Sequence, residues 1–157
     1  MASSGTYVGE VSLKGSAGQH YGRWRNENNL FPDAIGHHIQ AVNLHHGEWH
    51  SHGSIRTWHY TCEGKQEVLK EKREIDDEKQ TLTAIGLEGN AMEELKVITF
   101  ILQFGPNPNP NPNPSQGCVC KITVAWEKRN ENAPEPIRYF KLVKQMVAEM
   151  DDHVLIP

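Results

Sequence analysis

The stretch Pro134-Glu135-Pro136-Ile137-Arg138-Tyr139-Phe140-Lys141-Leu142-Val143-Lys144-Gln145-Met146-Val147-Ala148-Glu149-Met150-Asp151-Asp152-His153-Val154 decides the fold. Its prolines supply a helix start, and Phe140, Val143, Met146, Val147, Met150 and Val154 recur at three- and four-residue steps. Lys141, Lys144, Glu149 and Asp152 take much of the other side. About twenty residues of amphipathic helix must lie on something apolar. The segments before it supply that surface.

Immediately upstream, residues 118–126 alternate Cys120, Ile122, Val124 and Trp126, and their partner strand 95–104 carries Ile98, Phe100, Leu102 and Phe104 on one face. Further back, period-two strands are predicted at 81–87, 66–75, 54–61 and 39–46. Turns at 76–79, Glu63-Gly64 and 47–53 join them. Residues 6–14 read as the first strand. Ser16 then caps a short helix carrying Ala17, Tyr21 and Trp24, and a second helical turn is expected from Asp33.

The predicted order is strand, two short helical pieces, six strands in hairpin succession and one long helix. An α+β fold satisfies it: a seven-stranded curved antiparallel sheet gripping the C-terminal helix, one domain over residues 1–157. A bent sheet and a cylinder mate imperfectly, so an internal cavity is expected. Five prolines within residues 106–114 cannot donate ladder hydrogen bonds, which predicts an exposed, stiff hairpin tip. That tip could serve as a protein-interaction element; a tolerated loop expansion is the simpler reading.

Composition narrows the function. Sixteen Lys and Arg against twenty Asp and Glu give a net charge of −4 over 157 residues, which argues against nucleic acid or an anionic membrane as partner. The first six residues show neither the basic nor the apolar region of a secretory signal, so a cytoplasmic protein is expected. Cys62, Cys118 and Cys120 are odd in number and read as reduced thiols. Nucleophile elbow, P-loop and dinucleotide fingerprint are all missing, so hydrolase, kinase and NAD chemistry lack support.

A run of short segments carries a family resemblance. They are Asn29-Leu30-Phe31-Pro32, His38-Ile39-Gln40-Ala41-Val42, Gly47-Glu48-Trp49, Gly53-Ser54-Ile55, Trp58, Tyr60 and Gly64-Lys65. Lys70-Glu71-Lys72, Asp76-Asp77-Glu78, Leu87-Glu88-Gly89, Trp126-Glu127-Lys128 with Asn130-Glu131, and Pro134-Glu135-Pro136 complete it. In this order and spacing the chain resembles the plant major latex protein branch of the birch-pollen-allergen (Bet v 1-like, START-like) superfamily. The resemblance implies a large hydrophobic cavity open to solvent and a ligand-carrying, defence-related role. Relatives look like carriers of sterols, flavonoids, hormones and alkaloids, and a few are cofactor-free isomerases or ring-closing enzymes. Three features depart from the pattern: the loop 47–53 keeps only its outer glycines, the first strand is short, and the Pro-Asn run is inserted.

The resemblance turns Arg56, Trp58 and Tyr60 toward the cavity, with Glu67, Leu69 and Glu71 sharing that interior face. A buried Arg56 needs a carboxylate partner, and Glu71 or Glu67 is expected to supply it. Such a pair either braces the sheet or acts as a polar anchor or acid/base pair. Glu71, Glu67 and Arg56 are therefore the candidate catalytic residues. The expected lining is Trp24, Phe31, Arg56, Trp58, Tyr60, Leu69, Leu82, Ile98, Phe100, Leu102, Met146 and Met150, with Tyr139 and His153 as further helix contributions.

Seven of the nine histidines (His37, His38, His45, His46, His50, His52 and His59) cluster in one region. The pairs His37/His38 and His45/His46 would point opposite ways on a strand, so no metal site is expected, and the histidines read as solvated loop residues at the cavity mouth. The sequence thus predicts a monomer or weak dimer, free of cofactor and metal, that binds a hydrophobic plant small molecule such as a specialised metabolite, sterol or hormone. The alternative is a cofactor-independent isomerase, dehydratase or cyclase of specialised metabolism.

Overall fold

The structure, a computed structural model, describes residues 2–107 and 117–154. Seven strands form one antiparallel sheet: β1 (Ser4–Leu13), β2 (Ile39–His46), β3 (Ile55–Cys62), β4 (Lys65–Asp76), β5 (Thr81–Gly89), β6 (Leu95–Gly105) and β7 (Cys118–Lys128). Their spatial order is β1-β7-β6-β5-β4-β3-β2, so hairpin succession holds from β2 to β7 and only β1 crosses over. Ten residues of β1 pair with β7, from Ser4↔Glu127 to Leu13↔Cys118.

The helices are α1 (Ala17–Asn26), α2 (Phe31–Ala34), α3 (Ala91–Glu94) and α4 (Ile137–Val154). Ser16 caps α1 in a reciprocal box with Gln19, whose backbone N–H donates to Ser16 Oγ at 3.1 Å. The second helical piece starts at Phe31 rather than Asp33. A 3₁₀ turn over Asn28–Leu30 leads straight into it, and Pro32 occupies its first turn, where its missing N–H costs nothing. The short helix α3 was not expected.

Helix α4 lies on β1 and β7 and also touches β3, which stands next to last at the other side of the strand order. One helix reaches strands this far apart in a sheet only if the sheet curls around it. Irregular register near Glu71 in β4 and near Leu95 in β6 supplies local bending. Gly47 and Gly53, the two glycines retained in the β2–β3 loop, both sit at φ +79°, a conformation that side chains with a Cβ adopt only under strain.

The three cysteines are free and buried, and burial pushes the thiols of Cys62 and Cys118 up to about 11. Most of the Pro-Asn run lies outside the described residues. Among the described residues no helix is long and apolar enough to cross a membrane.

Candidate ligand cavity

Strands β3 and β4 build the site. Their register sets Arg56 opposite Glu71, Trp58 opposite Leu69 and Tyr60 opposite Glu67, so all six side chains point to one face. That face, with α4 above it, encloses a cavity of about 90 Å³. The resemblance implied a large cavity, and this one is far smaller than the roughly 300–1,000 Å³ of sites that enclose a drug-sized ligand. Aromatic rings and the α4 side chains Leu142, Val143 and Met146 occupy the remaining space.

Nine of the expected lining residues meet at this cavity: Trp24 from α1, Trp58 and Tyr60 from β3, Leu69 from β4, Leu82 from β5, Phe100 and Leu102 from β6, and Tyr139 and Met146 from α4; the candidate catalytic residue Glu71 joins them from β4. Phe31, Ile98, Met150 and Arg56 are buried but are not part of its wall. Phe31 stands edge-on to Trp24 at 4.8 Å between centroids and braces it from behind. Sequence reasoning missed Ile39, Arg73, Ala84, Ala91, Leu142 and Val143 as lining. Arg73 and Ala84 were legible, since each continues the alternation of its strand by one step from Glu71 and Leu82.

Two polar clusters interrupt the apolar wall. In the first, Arg56 does not pair with a carboxylate. Its Nη1 donates to Asn28 Oδ1 at 2.6 Å, and its Nη2 donates to Ser54 Oγ at 2.6 Å and to the Trp49 carbonyl at 3.0 Å. The expected pairing is corrected: Glu71 belongs to Arg73, whose Nη2 donates to Glu71 Oε1 at 3.1 Å, and Trp58 Nε1 donates to the same oxygen. Arg73 also donates to the Trp24 carbonyl at 2.8 Å, which ties the end of α1 to β4. Two buried guanidiniums therefore stand near one buried carboxylate, and only Arg73 is bonded to it. Desolvation, reinforced by Arg73 and opposed by Glu71, pushes the Arg56 pKa down to about 10.

Glu71 Oε2 and Trp24 Nε1 are buried and have no hydrogen-bond partner. An unmade hydrogen bond at such a group costs about 1–3 kcal/mol, more when the group is charged. An acceptor and a donor thus stand unused in two side chains of one cavity wall.

The second cluster lies at the α4 start. Tyr60 and Tyr139 both donate to Glu67 Oε1, at 2.9 and 2.7 Å, and Arg138 Nη2 donates to the Tyr139 hydroxyl at 3.0 Å. Burial, with the Glu67 charge beside both hydroxyls, raises the two phenol pKa values well above their ordinary range. Glu67 sits behind the tyrosines and is not itself part of the wall.

None of the seven clustered histidines lines the cavity. His45 bonds Thr57 Oγ1 at 2.7 Å, His59 bonds Asn43 at 3.0 Å, and His52 Nδ1 accepts from the Ile75 N–H at 3.0 Å, all on the outside. His37 and His38 lie in the turn before β2 rather than on a strand. Both face Glu149 of α4, so the expectation that they diverge is corrected.

A long terminal helix gripped by a curled seven-stranded antiparallel sheet defines a helix-grip fold. The model of the pathogenesis-related protein Bet v 1 family matches residues 2–156, and the chain belongs to that family. Within it the chain falls in the major latex protein branch. It is 60% identical to MLP-like protein 328 of Arabidopsis thaliana over 155 residues, 99% of each chain. Among solved structures, major latex-like protein 151 of Panax ginseng superposes with a TM-score of 0.88 at 22% identity, covering 99% of this chain and 100% of that one. Norcoclaurine synthase of Thalictrum flavum superposes with a TM-score of 0.76 at 17% identity, over 100% of this chain and 98% of that one.

Proposed function

We propose that this protein binds a hydrophobic plant small molecule that carries one hydrogen-bonding group, within the cavity under α4. The observation that carries the reading is Glu71 Oε2, a buried carboxylate oxygen without a partner in a side chain of an otherwise largely apolar wall. A ligand hydroxyl or N–H donated to it removes a cost that the empty protein bears. The rings of Trp24, Trp58 and Phe100 supply flat apolar area, at about 25 cal/mol per Å² buried. A guest of more than a few atoms needs more than 90 Å³. Met146, an unbranched side chain with three rotatable bonds, is the wall residue best able to yield.

The test is a titration followed by the fluorescence of Trp24 and Trp58. A panel of sterols, flavonoids and hormone-like acids is measured, each beside an analogue whose polar group is methylated. Saturable quenching by at least one class is expected. Glu71→Gln should weaken a donor-bearing ligand about tenfold and leave its methylated analogue unchanged. Absence of saturable change across the panel overturns the reading.

The same free oxygen supports a second reading, acid/base catalysis by Glu71 in a water-poor pocket. Incubation of the panel with the protein, followed by product analysis, separates the two. Turnover abolished in Glu71→Gln with binding retained marks an enzyme. Glu67 and Arg56 are less suited to that role, because Glu67 already accepts from two tyrosines and Arg56 is not on the wall.

A further inference from the structure

Away from the cavity, three metal-ligating side chains converge. His37 and His38 project from the turn between α2 and β2, and Glu149 comes from α4, over a hundred residues later. Their donor atoms all lie within 4.8 Å of one another. His37 Nε2 is 2.9 Å from Glu149 Oε1, and His38 Nε2 faces Glu149 Oε2, so one carboxylate meets both imidazoles. We propose that His37, His38 and Glu149 form a binding site for a divalent transition-metal ion of the zinc class.

The first argument is the chemistry of the donor set. Two imidazole nitrogens and one carboxylate oxygen suit zinc and its borderline neighbours and do not suit magnesium or calcium. In a tetrahedral site with bonds of about 2.0–2.2 Å, donors stand roughly 3.3 Å apart. The present spacing needs only small rotations of the side chains to reach that.

The second argument is the contact that already exists. Glu149 Oε2 is buried with His38 Nε2 directly against it, so the carboxylate is already turned onto the imidazoles. A neutral His38 meets that oxygen with an N–H at Nε2, and a metal ion takes the place of that proton once the ring carries its hydrogen on Nδ1 instead. A metal ion satisfies that oxygen and both nitrogens together.

The third argument is pre-organisation. The His38 N–H donates to the Ile35 carbonyl at 2.9 Å, and the Thr61 N–H donates to the His38 carbonyl at 2.9 Å. Ile35 and Ile39, each 1% exposed, anchor the turn on both sides of the histidines. Adjacent histidines diverge on a strand, but this turn holds their rings 4.1 Å apart. The side chain of His38 is 15% exposed while that of His37 is 61% exposed, so one flank faces the protein and the other faces water. Three protein ligands with an open side leave room for a water as the fourth.

An ion held there would staple the α2–β2 turn to α4, one turn beyond Met146 in the cavity wall. The experiment is calorimetric titration of chelator-treated full-length protein with zinc chloride, repeated with cobalt(II) read by visible absorption. One saturable ion per chain is expected, with a cobalt spectrum of four- or five-coordinate N/O type and a raised melting temperature. Glu149→Gln and His38→Gln should each weaken zinc at least tenfold and abolish the melting shift, with unchanged far-UV circular dichroism. The double variant His45→Asn/His46→Asn should bind as the parent does. Failure of the parent to take up zinc saturably overturns the proposal and leaves a plain imidazole–carboxylate contact. Equal uptake by parent, Glu149→Gln and His38→Gln overturns it too, by assigning the ion to other histidines.

Discussion

The two ends of the sheet bury their inner faces in different ways. On β7 the inward positions Cys118, Cys120, Ile122 and Val124 are all 0% exposed, and Val147 of α4 closes over that end equally tightly. On β1 a Cβ at Gly9 would come within 2.8 Å of the Phe140 ring, so glycine is what lets the helix sit this close. On β3 and β4 the inward positions are Arg56, Trp58, Tyr60, Leu69, Glu71 and Arg73, and here the cavity opens. Apolar side chains can be pressed together without regard to direction. Charged and aromatic N–H groups need partners at set angles, so the wall that carries them packs with gaps. The closed end stabilises, and the polar end leaves the space that the proposed ligand would use.

This contrast predicts unequal costs. Ile122→Ala, at the closed end, should lose about 2–5 kcal/mol, because a fully enclosed side chain gives up all its contacts and leaves a void. Met146→Ala removes as large a side chain but should cost less, since part of Met146 already faces empty space. It should also admit bulkier ligands. Denaturant titration of both variants checks the order, and equal losses would erase the distinction between the two ends.

Glu71→Gln comes next, at about 2 kcal/mol. It keeps shape and one acceptor oxygen but leaves Arg73 buried without its carboxylate partner and Arg56 without the negative charge nearby. Double substitution with Arg73→Met should recover part of the loss, which a purely local packing defect would not allow.

Period-two alternation exposed the sheet because each strand has one buried face, and the α4 stripe showed where the closing helix lay. Helix α3 escaped, since four residues cannot display a helical period. The partners of Arg56 escaped for another reason: Asn28 reaches it from a 3₁₀ turn far away in sequence, and neutral oxygens leave no charge pattern to read. The convergence of His37 and His38 was hidden by treating them as strand residues, when two consecutive turns place them before β2. Cavity size was illegible, because it depends on how rings tilt and on whether Met146 points in or away.

The closed end also carries a buried titrating pair. His20, 0% exposed and stacked on Phe104, donates from Nε2 to Asp151 Oδ1 at 2.8 Å, and the Lys14 and Gly15 N–H groups donate to the same carboxylate. Burial lowers the His20 pKa below its ordinary 6.5, and the nearby carboxylate offsets only part of that. Burial acts to raise the Asp151 pKa, but the two backbone donors and His20 outweigh it and hold it below its ordinary 3.8. Both groups take up protons more readily in the unfolded chain, so stability falls with acid. The His20 share is complete above pH 6.5 and is lost as pH drops through its folded value; the Asp151 share is complete above pH 3.8 and goes later. Denaturation midpoints measured from about pH 8 to 4 should decline from about 6.5 downward. In His20→Gln the first part of that decline should flatten relative to the parent.

The smallest effect belongs to the second polar cluster. Tyr60→Phe removes one of two hydroxyls that reach Glu67 Oε1, while Tyr139 stays bonded at 2.7 Å. Glu67 is only half-buried and can recruit water, so the loss should be about 1 kcal/mol. Tyr139→Phe should cost more, because it also strips Arg138 Nη2 of an acceptor at 3.0 Å. Combining the two substitutions should cost more than their sum, since the carboxylate then loses both hydroxyls at once and the second removal has no remaining donor to compensate it. Simple additivity would mean that the tyrosines act as independent wall rings, with Glu67 a bystander at the cavity rather than its polar support.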